Sequence, residues 1–540
     1  MNREIKNIFN TTDVREGLLK GTRKVYEVMK GVYGPTSGDV IIEKNYGDPI
    51  STHDGVSVIR EIFLKDPVEN MAARRLAQAS KQTNNNAGDG TTATVILASH
   101  IIEKSFKRIS AGYNPMALRR GIMLASTDAV DAIKRCSEDV KDKLSEVATV
   151  ACGDENLGKL ISDAIENVGE TGNVTVEESR EIMGVEREIV EGFNFKNSYA
   201  HPYMVTNPDK MITEFKGPFV LVTEKKLNDQ MELIPLFKSI AGVGLDGQSK
   251  TPGRKLLIVG DVSGSALNFL LANKQSGAVI SASVAPPIVG DQSSLALEDL
   301  AIYTGGRFIT NADNLEDISI DDLGKAESVF IDGEAVTIIK GNGKQEDIKK
   351  RIVGLHNAIK EEKNAFRKER MEDRLARISG KVGVIKVGGA TESEMLETKD
   401  RVDDAVCATK AAKEEGVVPG GGVTMVHISY LTNRTLDDID EREGYQIVVE
   451  ALKEPFKQLM ENSFGSGEYY LKSLDGSEFG YGYDVKASDS LIDLRKYGII
   501  DATKVIRSVI ENACSIASNI ITTSSGIAFE EKEEKNGNPA

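Results

Sequence analysis

Residues 88–92, Gly-Asp-Gly-Thr-Thr, set one carboxylate and two hydroxyls among glycines, directly before the apolar run ATVILAS. Two chemistries fit. Asp89 or Thr91 can cap a helix, with Gly88 and Gly90 turning the chain into it. Alternatively, free N–H groups at the helix start and the hydroxyls meet phosphate oxygens, while Asp89 holds the accompanying hard cation. Asp54 in HDGVSV and Asp404 in RVDDAV, each taken alone, read as turn or cap residues. His53, His100, His201, His356 and His427 show no metal-ligand spacing. Cys136, Cys152, Cys407 and Cys514 lie far apart, so neither a zinc-ligand spacing nor a disulfide framework is visible, and a reducing compartment is the simplest reading.

Helices must carry most of these groups. Val14, Leu18, Thr22, Val25, Met29 and Val32 recur at helical spacing behind Asp13 and Glu16, which together resemble a capping box. YGPTSGD then breaks the helix, VIIEK with YGDPIST predicts a hairpin, and helical character returns to about residue 135. Between about 190 and 310 the period changes. PFVLVTEK, RKLLIVGD and GAVISASVA predict buried strands, alternating with the helical DQMELIPLFKSIA and SALNFLLANKQ, which describes an α/β unit. One long charged helix is predicted over NAIKEEKNAFRKERMEDRLARI, with Ile359, Phe366, Met371, Leu375 and Ile378 on one stripe, followed by the strand KVGVIKVGG. Helices resume to the end, so the two chain ends are predicted to share one domain with the middle inserted.

At 540 residues two to three domains are expected, and 40% apolar with 28% charged residues fits a globular chain. A formal charge of −16 without a basic cluster argues against nucleic acid as a partner. No apolar run reaches the roughly 20 residues that span a bilayer, and the N-terminal segment has neither signal- nor transit-peptide character, so no membrane partner and a cytoplasmic location are expected. The tail FEEKEEKNGNPA is expected to be disordered.

VYGPTSGDVIIEKNYGDPISTHDGVSVIREI, AGDGTTATVILAS, EEGVVPGGGV and GIIDATKVIRSVIENACSIASNIITT, in this order, resemble group I chaperonins of the GroEL type from about residue 5 to 528. The resemblance implies a multidomain α+β fold. Its helical equatorial domain takes residues 1–134 and 416–528, a small intermediate hinge domain takes 135–189 and 381–415, and the inserted apical α/β domain takes 190–380, with the tail at 529–540. It implies an ATP-driven folding machine of heptameric rings, single or double, that receives non-native polypeptide and a lid co-chaperonin. ATP, Mg²⁺ and K⁺ are the implied cofactors.

By that resemblance, Asp89 is the Mg²⁺ carboxylate, Gly88, Gly90, Thr91 and Thr92 cradle phosphate, and Tyr33, Gly34 and Pro35 pass over the nucleotide. Gly420, Gly421 and Gly422 face the ribose and base, Asp484 with Val485 lies at the adenine, and Asp501 at the ribose. Asp404 orients the attacking water, and Asp54 is a second acid near the γ-phosphate. Val32, His53, Ala93 and Asp484 replace the usual Thr, Lys, Thr and Asn. The lost hydroxyl and ammonium groups are expected to weaken ATP or K⁺ binding by about 1 to 2 kcal/mol. Tyr199, Tyr203, Met204, Ile234, Phe237, Leu267, Leu270 and Leu271 fall on the polypeptide groove, although spacing alone favours an ordinary core stripe.

Lys457 and Ser466 stand where an Arg and a Glu pair across two rings, Tyr469 replaces a smaller apolar residue, and losing the acid removes one charge pair per contact, which leaves a single ring open beside the double one. VGLDGQSKTPG and PPIVGDQSS also depart from common bacterial members. Two other readings fit less of the chain: a ring scaffold with a decayed nucleotide site, and a Mg²⁺-dependent phosphotransferase.

Overall fold

Asn10 starts the first helix: its side chain accepts from the N–H groups of Thr12 and Asp13, so α1 runs Thr11–Met29 and the expected cap at Asp13 lies inside it. Val14, Leu18, Thr22, Val25 and Met29 are buried along one face as their spacing predicts, and Val32 is buried in the short turn that follows. This and all that follows comes from a computed structural model describing residues 6–43, 49–140, 143–168, 173–179, 183–208, 211–242, 251–288, 293–333, 335–362 and 364–529. The chain forms two compact units, one joining Met1–Ser162 to Glu392–Ala540 and the other comprising Asp163–Thr391.

In the first unit the predicted hairpin pairs Val40–Ile42 with Ile50–Thr52. Helices α2 (Gly55–Arg60), α3 (Pro67–Ala87), α4 (Thr91–Ser110), α5 (Pro115–Cys136) and α6 (Leu144–Cys152) follow, and α7 (Glu155–Val168) begins in this unit and ends in the second. Asp54, Asp66 and Asn114 cap α2, α3 and α5 with their side chains. α4 is buried along nearly its whole first half, from Thr91 through Ser99, and anchors the core.

The second unit carries a sheet whose main path runs Asn173–Glu178, Lys381–Gly388, Gly184–Lys196, Ala335–Gly341, Gly324–Ile331, Phe219–Thr223, Arg254–Val259, Val279–Val284. The last three strands are parallel, as expected of buried runs joined by crossovers, here α8 (Ile234–Ala241) and α9 (Gly264–Ser276). α10 (Ser293–Thr304), α11 (Gln345–Glu361) and α12 (Ala365–Ile378) complete the unit. The single long helix predicted over 357–378 is thus two: α11 ends at Glu361, and Asn364 caps α12 by accepting from the Arg367 N–H. The Phe366 side chain lies outside the described residues, as do 243–250, 289–292 and 530–540, which include most of VGLDGQSKTPG, the middle of PPIVGDQSS and nearly all of the tail.

The chain re-enters the first unit through α13 (Glu392–Glu415), α14 (Val423–Leu431), α15 (Ile439–Ala451), α16 (Glu454–Phe464), α17 (Gly467–Ser473) and α18 (Thr503–Ile521). α5 and α15 touch backbone to backbone: a methyl on Gly121 would meet the Glu441 carbonyl at 1.9 Å, and one on Gly444 the Leu118 carbonyl at 2.2 Å. α6 and α13, which the resemblance assigns to a hinge domain, share an apolar cluster with Ala87, Val417 and Ile500 of this unit. The terminal strand Gly526–Phe529 pairs antiparallel with Lys6–Phe9, closing the two chain ends on each other.

Candidate functional site

α3 ends and α4 begins within the GDGTT stretch. Gly88, at φ +73, closes α3, and Gly90, at φ +83, is the N-cap of α4. Both sit in the left-handed region that glycine adopts without cost. α4 has no side-chain cap, so neither Asp89 nor Thr91 does what the capping reading asked, and the first N–H groups of α4 remain for another acceptor. α14 opens the same way, on Gly422 at φ +76 with no side-chain cap. The turn is held from below: the Thr94 hydroxyl bonds the Gly90 carbonyl at 2.9 Å and the Thr83 hydroxyl at 2.9 Å, and Asn512 donates to Thr83 at 2.9 Å.

The acids gather around this turn. Asp54 caps α2, its two carboxylate oxygens accepting from the N–H groups of Val56 at 3.2 Å and Ser57 at 2.9 Å. A methyl on Gly55 would stand 2.2 Å from the Thr92 hydroxyl and 2.9 Å from that of Thr91, so the start of α2 rests on the start of α4. Asp54 is therefore a cap residue and a neighbour of the turn at once. A methyl on Gly88 would stand 2.0 Å from Cβ of Cys407, which seats α13 against the turn, and Asp404 lies one helical turn earlier on that face. Cys407 is a contact that sequence spacing gave no way to find.

Asp501 reaches the glycine cluster, its Oδ1 3.0 Å from where a Gly420 methyl would be. Burial pushes its carboxyl up to about 7, with the Asp89 charge adding to the shift. The Asp89 side chain reaches solvent yet is ringed by protein, and that surrounding raises it too; the Gly90 N–H opposes the shift and the Asp54 charge adds to it. The Tyr33 hydroxyl is raised by burial first, then by Asp501 and Asp89. The opposite wall is apolar. Tyr33 and Val485 pack on Val423, Leu459, Tyr483 and Leu494, and Asn462 ties the loop down by donating to the carbonyls of Lys30 at 2.7 Å and Tyr33 at 2.8 Å. A methyl on Gly34, at φ +95, would meet Leu459 at 2.3 Å. Asp484 ends a strand beside this wall and accepts from the Lys486 N–H at 3.0 Å.

Two of the predicted binding side chains point into the core. Val32 and Ala93 are buried in the helical core, leaving only main chain to offer a ligand. His53 is exposed, with Nδ1 3.7 Å from Asp39, a contact that attracts only when the imidazole is protonated.

Uncapped helix starts and several carboxylates gathered at one turn fit an anion with a divalent cation. Burial, with mutual repulsion added, raises the proton affinity of Asp89 and Asp501, and a cation relieves the repulsion. Among the described residues no group of three or more His, Cys, Asp or Glu is placed to hold a metal ion.

The sequence model of the TCP-1/cpn60 chaperonin family matches residues 25–234 and 250–528. The chain belongs to that family. Membership brings a chaperone role with it. The chain is also similar to the crystal structure of the chaperonin gp146 from the bacteriophage EL 2 (Pseudomonas aeruginosa), solved in the presence of ATP-BeFx. Crystal form II aligns at TM-score 0.64 and 20% identity over 97% of this chain and 99% of that one. Crystal form I aligns at TM-score 0.60 over the same shares. At this identity the likeness shows the fold.

In this chaperonin the predicted polypeptide groove divides in two. Met204, Phe237 and Leu270 are core: they are 0%, 3% and 0% exposed, and Phe237 stacks edge-on against Phe269 at 5.0 Å. Those three do not line a surface groove. Tyr199, Ile234, Leu267 and Leu271 are half-buried, and Tyr203 is 76% exposed. Met231, which the sequence did not single out, is 60% exposed on the turn packed beside α9. Lys274 fastens the Tyr203 turn to α9 by donating to the Tyr203 carbonyl at 2.7 Å and the Val205 carbonyl at 2.5 Å.

Proposed function

We propose that this chaperonin binds Mg-ATP in the recess of the first unit, hydrolyses it, and uses the cycle to hold and release non-native polypeptide on the exposed apolar residues of the second. The convergence of Asp54, Asp89 and Asp501 on an uncapped helix start between two left-handed glycines carries the reading, and the ATP-BeFx in the gp146 crystals is consistent with it. The N–H groups of α4 with Thr91 and Thr92 take the phosphates, Asp89 holds Mg²⁺, and the Tyr33–Val485 wall and Asp501 take the base and ribose. Held by Asp89, Mg²⁺ would supply neutralising positive charge to the phosphates. Asp404 orients and deprotonates a water whose oxygen bonds to the γ-phosphorus as the bond to the β–γ bridging oxygen breaks, releasing ADP and phosphate. Asp54 acts beside it near the γ-phosphate.

Clients are recognised by exposed apolar surface rather than by sequence. Seven chains form a ring, and a lid co-chaperonin would bind the same apical surface. Lys457 meets Glu454 at 3.2 Å and Glu468 at 2.5 Å in its own chain, so its charge is already matched without a partner across rings, which favours a single ring.

The nucleotide half is tested with Asp404→Ala. Hydrolysis is expected to fall by about 10² to 10⁴ while a fluorescent ATP analogue still binds. Wild-type turnover in that variant overturns the assignment of Asp404, and absence of Mg-ATP binding by the wild type overturns the site. Replacing K⁺ with Na⁺ in the same assay reports the ion requirement.

A further inference from the structure

A trough of about 1010 Å³ opens in the second unit between α10, α11 and α12. It shares no residue with the nucleotide recess or with the exposed apolar client set. We propose that it binds a small amphipathic organic anion, a carboxylate on an apolar body.

Its volume is at the upper end of the range that takes such ligands. Leu295, Ile302, Leu355, Ala358 and Met371 give it an apolar lining, while Lys344, Lys350, Arg351 and Arg374 face the same space. The guanidinium groups are rigidly aimed. Asp299, 1% exposed, accepts from Arg374 Nε at 2.7 Å and Nη2 at 2.9 Å and from Arg351 Nε at 2.5 Å, and Arg351 Nη2 reaches Glu298 at 2.7 Å. Each arginine is thus held by two nitrogens, leaving Nη1 as an oriented donor with no partner among the described residues. Arg374 is itself only 4% exposed, so this is a built charge rather than a surface one.

Lys350 lies 3.7 Å from Asp347, and the Lys344 ammonium has no carboxylate partner among the described residues. Counting Lys344, Lys350, Arg351 and Arg374 against Glu298, Asp299 and Asp347, the trough is net positive in a chain of net charge −16. An anionic head with an apolar body satisfies both halves of this lining; a neutral apolar ligand leaves the cationic donors unanswered, and a polyanion leaves the apolar wall wet.

Titration calorimetry of the full-length protein with decanoate, and with decanol as its neutral counterpart, tests this. One decanoate per chain is expected, bound at least about tenfold tighter than decanol. Lys344→Glu and Ala358→Trp should each weaken it about tenfold or more, with ATP hydrolysis unchanged in both. Equal affinity for decanol, or insensitivity to both variants, overturns the proposal. So does decanoate binding lost in Leu271→Glu instead, which assigns it to the client surface. Saturable binding of a hexaglutamate peptide with no decanoate uptake also overturns it, making the trough a peptide dock.

Discussion

Gly88 shows how narrow the tolerance at the GDGTT turn is. Its left-handed φ of +73 and the 2.0 Å approach of Cys407 each forbid a side chain, and the second is a main obstacle because Cβ of Cys407 cannot rotate away. Gly88→Ala should therefore destabilise the protein by at least about 2 kcal/mol and slow hydrolysis, read from a denaturant midpoint and phosphate release. Cys407→Gly in the same chain should return part of the loss. Asp501 supplies a pH test. It titrates at about 7 in the folded chain and near the ordinary carboxylate value, about 4, when unfolded, so within that window the folded state holds a proton that the unfolded state has lost. Stability of the nucleotide-free protein should fall as pH rises from about 4 to 7 and level off above. Asp501→Asn should flatten that slope, and an unchanged slope would assign it to another group.

At the scale of elements, α9 decides how client capture can be tested. Leu270 faces the core and Leu271, one residue on, is half-buried at the surface, so the two neighbours have opposite meanings. Leu271→Glu should weaken retention of an unfolded client about tenfold while leaving the thermal midpoint within a few degrees of wild type. Leu270→Glu or Phe237→Glu should instead unfold the second unit, because each puts a charge in a sealed core. Capture that survives both Leu271→Glu and Leu267→Glu would remove α9 from the client surface.

For the whole molecule, a machine that lets go of its client on binding ATP obeys a reciprocal rule. If nucleotide weakens the client complex by some factor, client must weaken nucleotide binding by the same factor. Measuring both constants on the hydrolysis-slow Asp404→Ala protein checks this, and two independent affinities would show that the recess and the client surface are not coupled. Native mass spectrometry should find a heptamer of 58.6 kDa chains. A fourteen-mer would mean that a surface other than Lys457 joins the rings, since that ammonium is already answered by Glu454 and Glu468.

The sequence by itself determined the periodic elements: the buried stripe of α1, the hairpin of residues 40–52, the parallel strands of the second unit and the return of the chain to its first unit, because periodicity and glycine punctuation act locally. The GDGTT turn was equally visible, although not whether it served as a cap. Tertiary structure alone decided the rest. Spacing of three or four places residues on one helix face without saying which way that face looks, so Met204, Phe237 and Leu270 went inward. The break before Asn364 came from a local cap overriding a continuous charge pattern. Which distant side chains close on Gly88, Gly55 and Gly420 followed only from the packing of α13, α4 and Asp501 upon them, since no local pattern encodes a neighbour hundreds of residues away.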